Sequence, residues 1–104
     1  MRHAKVYVHS LCAGTLREEA SGTAYTFQYE PGYAGPPVSM TIPFALQAYQ
    51  FDTFPSFFEG LLPEGDMLEG LLRQNKIDRT DYFSQLIAVG HDTVGAVTIE
   101  EVTP

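Results

Sequence analysis

The segment from Pro55 to Gly65, Pro-Ser-Phe-Phe-Glu-Gly-Leu-Leu-Pro-Glu-Gly, constrains the local geometry of this chain more tightly than any other stretch. It packs a helix start, a helix break and a second helix start around two adjacent aromatics. Ser56 is a good N-cap residue, and Glu59 follows at the capping-box spacing. Pro63 then removes a backbone donor, so a helix beginning at Phe57 can run little more than two turns. A second helix is predicted to open near Glu64, with Met67, Leu68, Leu71 and Leu72 on one apolar face. Glu64 and Asp66 in its first turn, and Arg73 and Lys76 near its end, suit the helix dipole, and Asn75 is a plausible stop.

Upstream the hydrophobic period is two. Val6 and Val8 flank Tyr7 in a β-rich run, and Leu11 to Leu16 reads as its hairpin partner after a turn at His9-Ser10, with Gly14 suited to close packing or a bulge. Ala20-Ser21-Gly22 is turn chemistry. Tyr25, Phe27 and Tyr29 then alternate with Thr26, Gln28 and Glu30 as a strand with one buried face. Pro31-Gly32 and Pro36-Pro37 mark a loop, and Val38, Met40 and Ile42 alternate with Ser39 and Thr41, which predicts another strand ending at Pro43. Downstream, a third helix is expected after Asp78 as cap, with Asp81 in its first turn. It carries Tyr82, Phe83, Leu86, Ile87 and Val89 and closes at Gly90. The run from Val94 to Ile99 reads as a strand returning to the sheet.

A chain of 104 residues with 44% apolar content suits one domain, taken here as residues 1–104, with one core. Thirteen acidic residues against six basic ones, a net charge of −7, argue against direct nucleic-acid binding, which needs a clustered basic surface. The apolar stretch near the N-terminus is interrupted at His9 and Ser10, so it reads as neither a secretory segment nor a membrane span. A single cysteine, Cys12, fits a reducing compartment, and the expected location is cytoplasmic.

No constellation of reactive groups emerges. His3, His9 and His91 are widely separated and lack metal-ligand spacing, so no metal is assigned. Cys12 sits among apolar residues, as a buried inert thiol does. Asp78, Asp81 and Asp92 are explained by helix capping and loop solvation. The stretch from Gly32 to Pro37 has neither the lysine and hydroxyl of a phosphate loop nor the strand-to-helix context of a dinucleotide site. The residues that a kinase needs to transfer phosphate have no room in a chain this short. The expectation is a protein that is not an enzyme and needs no cofactor.

The Pro55 to Gly65 segment resembles the hallmark of the HipA N-terminal domain family, found at the start of HipA-type serine/threonine kinases, toxins of bacterial toxin-antitoxin systems. The usual wording there is close to Pro-Phe-Phe-Asp-Gly-Leu-Leu-Pro-Glu-Gly. The resemblance extends to Ala13-Gly14-Thr15-Leu16, Tyr25 to Tyr29, Pro37 to Met40, and Gly90-His91-Asp92-Thr93-Val94-Gly95-Ala96, the last being similar to the family's Gly-Arg-Asp-Cys-Val-Gly-Ala stretch. A separately encoded version of the domain resembles HipS, the antitoxin of three-gene HipBST systems, where the kinase HipT lacks the N-terminal domain. The sequence departs from the family at Asp66 and Met67, where members often place a large aromatic directly after Pro-Glu-Gly.

The resemblance and the residue pattern together imply an α+β fold: a small antiparallel, barrel-like sheet with two or three short helices on one side. The implied function is that of a non-catalytic antitoxin subunit that binds and inhibits a HipT-like kinase, within a larger complex that includes a HipB-like helix-turn-helix protein. The alternative is a structural docking subunit without inhibitory activity. Phe54, Phe57, Phe58, Leu61 and Leu62 are expected to fill the core. Glu64, Gly65, Asp66 and Met67 open a helix beyond a proline break, where backbone donors and a mobile thioether can face a partner. Gly70, one turn later, allows close backbone approach, and these five are the candidate kinase-binding residues.

Overall fold

A computed structural model describes residues 2–20, 23–43, 47–92 and 96–102. The chain forms strands β1 (Arg2–Val8), β2 (Leu11–Ala20), β3 (Ala24–Tyr29) and β4 (Ala48–Phe51), then helices α1 (Ser56–Glu59), α2 (Gly65–Asn75) and α3 (Tyr82–Val89). A 3-10 turn over Gly90–Asp92 leads toward β5 (Val97–Val102). The five strands make one sheet in the order β4-β3-β2-β1-β5, antiparallel throughout. The expected α+β architecture is borne out, but the sheet is open: β4 and β5 stand at opposite edges, so "barrel-like" overstates its closure.

Pairing sets the faces. Val6 lies opposite Gly14 and Ile99, Ala4 opposite Leu16, and Leu16 opposite Phe27, which puts these residues on one face, and all of them are buried. On the other face Lys5 is exposed, and Thr15, Arg17, Thr26 and Gln28 are half-buried, the one-sided pattern of an antiparallel sheet with one solvated surface. The buried face is covered by Phe54, Phe58, Phe83 and Leu86. Tyr25 meets Phe54 edge to face at 5.3 Å between centroids, and Phe27 meets Phe58 at 6.0 Å. Phe54 and Phe58 are thus core, as expected, and Phe57, Leu61 and Leu62 are half-buried against it.

The β1–β2 hairpin turns where the sequence places it. His9 and Ser10 both take positive φ, 49° and 69°, the conformation that a two-residue loop needs to match strand twist. β2 runs further than expected, to Ala20, and its register skips Ala13 at a bulge. Gly14 is required beside that bulge, because a Cβ there would stand 2.2 Å from the Gln28 carbonyl oxygen.

Several expectations are corrected. The segment from Val38 to Ile42 is not a strand but a tight turn with an isolated bridge between Ser39 and Ile42. The Tyr29 hydroxyl binds both Val38 N–H and the Ile42 carbonyl, and these groups close a turn instead of joining a ladder. The strand that does flank β3 is β4, which the sequence reading missed. Ser56 is the first helical residue rather than the cap: Pro55 occupies the N-cap, no capping box forms, and α1 is a single turn. Asp81, not Asp78, caps α3, its carboxylate accepting from Ser84 N–H at 3.2 Å. α2 opens and closes near the expected residues, with Glu64 as N-cap and Lys76 as a left-handed C-cap at φ 53°. The last strand is described over Val97–Val102; its expected start at Val94 lies outside the described residues, as do Ser21 and Gly22 of the expected turn.

Candidate functional site

The break at Pro63 produces a specific piece of backbone. Glu64 is extended, with φ −129° and ψ 165°, and Gly65 follows at φ +59°, a left-handed conformation that only glycine adopts without strain. The chain therefore swings outward before α2 begins, and Glu64, Gly65, Asp66 and Met67 all stand exposed, Met67 at 76%. No side chain caps the start of α2. Gly65 thus has a structural reason to be glycine, independent of any partner.

α2 is loosely held. None of its residues is fully buried, and Leu68, Leu71 and Leu72 are only half-covered. An exposed ion pair between Arg79 and Glu69 joins it to the segment before α3. Between α2 and α3 runs a groove of about 720 Å³, walled by Leu61, Leu62 and Pro63, by Met67, Gly70 and Leu71 of α2, and by Ala88 and Val89 of α3. Of the five residues singled out from sequence, Met67 and Gly70 line this groove, while Glu64, Gly65 and Asp66 do not. Gly70 is not demanded by packing, since a Cβ there would meet nothing within 4 Å. Sequence reasoning missed the α3 wall, because Val89 and its neighbours read simply as the core stripe of a helix.

One charged cluster lies elsewhere, and it is internally satisfied. Arg2 forms a two-point pair with the buried Glu18, both contacts at 2.8 Å, and reaches Asp81 at 2.9 Å and Ser84 Oγ at 2.6 Å. Its guanidinium also lies 5.0 Å from the centroid of the Phe83 ring. Burial pushes the Asp81 carboxyl upward, but the hydrogen bonds from Arg2 and Ser84 outweigh it and hold Asp81 below the usual carboxylate range. This is a clip joining β1, β2 and α3. Burial, reinforced by the charge of Glu30, raises the Cys12 thiol, which keeps it in its unreactive protonated form. Among the described residues no group of three or more His, Cys, Asp and Glu could hold a metal ion, and no helix is long and apolar enough to cross a membrane. The geometry offers a surface for contact: an apolar groove beside an acidic, projecting helix start.

Comparison with known proteins gives this geometry a context. An uncharacterised protein of Haemophilus influenzae is 34% identical over 101 residues, covering 97% of this chain and 93% of that protein. The solved N-terminal domain of HipA toxin superposes with a TM-score of 0.77 at 29% identity, over 99% of this chain and 94% of that one. Residues 4–100 match the family described as HipA N-terminal domain, and the chain therefore belongs to the HipA N-terminal domain family.

Proposed function

We propose that this protein is a non-catalytic antitoxin subunit that binds a HipA-like serine/threonine kinase and holds it inactive. The observation that carries the proposal is the likeness to the N-terminal domain of HipA toxin, which spans nearly the whole of both chains. That likeness is to a domain of a toxin, which supports a toxin of that kind as the partner. The Haemophilus influenzae relative, 93% of which aligns here, is of similar length.

The contact is assigned to the α2 start. Met67 serves as the apolar anchor, Gly70 permits close approach, and Glu64 and Asp66 face basic groups of the kinase. A cleft that binds ATP phosphates is electropositive, and the net charge of −7 steers this chain toward it. The complex is expected to bury about 1,200 to 2,000 Å² in total.

The test is co-expression with a cognate HipA-like kinase that lacks its own N-terminal domain. The wild-type chain co-purifies with the kinase and relieves its growth arrest, whereas Asp66→Lys and Met67→Asp variants stay folded by circular dichroism and lose rescue. If a helix-turn-helix partner alone neutralises the kinase and this chain adds nothing, it is a docking subunit and not an antitoxin. Failure to co-purify removes the kinase altogether.

A further inference from the structure

Between Glu30 and Asp52 the sequence carries no charged residue, although the chain as a whole has 13 acidic and 6 basic ones. Within this neutral sector the structure builds a hydrogen-bonded turn around a bare methionine. Ile42 N–H donates to the Ser39 carbonyl at 3.0 Å, Thr41 N–H donates to Ser39 Oγ at 3.1 Å, and the Ser39 and Thr41 hydroxyls are hydrogen-bonded at 2.9 Å. Val38 and Ile42 are buried on either side, and Met40 at the apex is 97% exposed.

Three tyrosines hold the turn and the residues that flank it. Tyr29 accepts from Val38 N–H at 3.1 Å and donates to the Ile42 carbonyl. Tyr33 donates to the Pro36 carbonyl at 2.7 Å, and Tyr49 donates to the Pro43 carbonyl. Folding gains nothing from an apolar side chain left in water, so the hydrogen bonds that order this turn do not serve to cover Met40. Interface cores are depleted of charge and enriched in methionine and aromatic residues, and a pre-ordered loop loses less entropy on binding than a mobile one.

We infer that Met40 is a second anchor for the kinase, a fixed knob that enters an uncharged apolar pocket on that partner. The inference rests on the kinase being the partner, as proposed above. With a longest dimension of 39 Å, the molecule is small enough for one partner to reach both Met40 and α2. A second copy of this chain fits less well. Two copies each carrying −7 repel, and a symmetric contact around a convex knob needs a matching hole in the same patch.

The experiment is titration calorimetry of the purified kinase against wild type, Met40→Leu, Met40→Ala and Met40→Asp, with thermal melts of each. Because Met40 is exposed, all four should melt alike. Met40→Leu keeps most of the affinity, Met40→Ala loses about tenfold or more, and Met40→Asp loses further. If the alanine and aspartate variants bind as wild type does while Asp66→Lys weakens binding, the knob is refuted and the antitoxin reading survives. If wild type itself does not bind, both fall. Should wild type dimerise in a way that Met40→Asp abolishes, with kinase affinity unchanged, the occupant is a second copy and the inference is overturned.

Discussion

Gly65 opens α2 and Gly70 lies at its middle, and the structure gives the two glycines opposite meanings. Gly65 sits at φ +59°, where any L side chain is strained, so Gly65→Ala is expected to cost the free protein about 1–2 kcal/mol. Gly70 is helical with open space at its Cβ, and a mid-helix glycine is about 1 kcal/mol worse than alanine. Gly70→Ala should therefore raise the melting temperature of the isolated chain. If a partner backbone comes close at Gly70, the same methyl group weakens kinase binding and rescue. A stabilised variant with diminished rescue supports the contact; a stabilised variant with full rescue places it elsewhere. Sequence alone could not separate the two glycines, because what distinguishes them is a backbone torsion and a neighbouring void.

Among the elements, β1, β2 and α3 depend on the clip at Arg2. Glu18 is buried, and a buried ion pair that loses one partner typically costs about 3–5 kcal/mol. Arg2 keeps a third of its side-chain exposure, so screening brings Arg2→Met down to about 2 kcal/mol, measurable by urea unfolding. The pH dependence follows from Asp81, whose folded pKa is depressed. Its contribution is complete above the ordinary carboxylate value of about 3.9 and is lost as pH falls through the lower folded value. Asp81→Asn keeps a competent cap but removes the charge. Its stability deficit against wild type should be constant near neutral pH and shrink in acid, and a pH-independent deficit would assign the effect to capping alone. None of this was legible in the sequence, where Asp81 was expected only in the first turn of α3, because the partner that defines it is 79 residues away. The strands were legible wherever the period of two coincided with burial, as at Tyr25, Phe27 and Tyr29. That period misled at Val38, Met40 and Ile42: two of the three are buried, but a turn and not a strand carries them. β4 was missed because Ala48–Phe51 offers only two aromatic positions.

At the scale of the whole molecule, stability is unevenly distributed. The sheet, α1 and α3 share one core, whereas α2 contributes no fully buried residue to it. The candidate site was legible as far as its α2 residues, because a proline break followed by Glu-Gly is a local signal. The facing wall at Ala88 and Val89 was not, since it exists only once α3 has docked. An element with little burial opens at low free energy, so α2 amides should exchange with solvent well before those of β1, β2 and α3. Hydrogen exchange on the free chain reads this directly, and equal protection across α2 and β1 would mean that α2 opens only with the whole fold. Adding the cognate kinase should then slow exchange in Gly65–Asn75 more than in the central strands, because contact there removes the openings that the free protein allows. Slowing confined to the central strands, with α2 unchanged, would move the partner surface away from the groove.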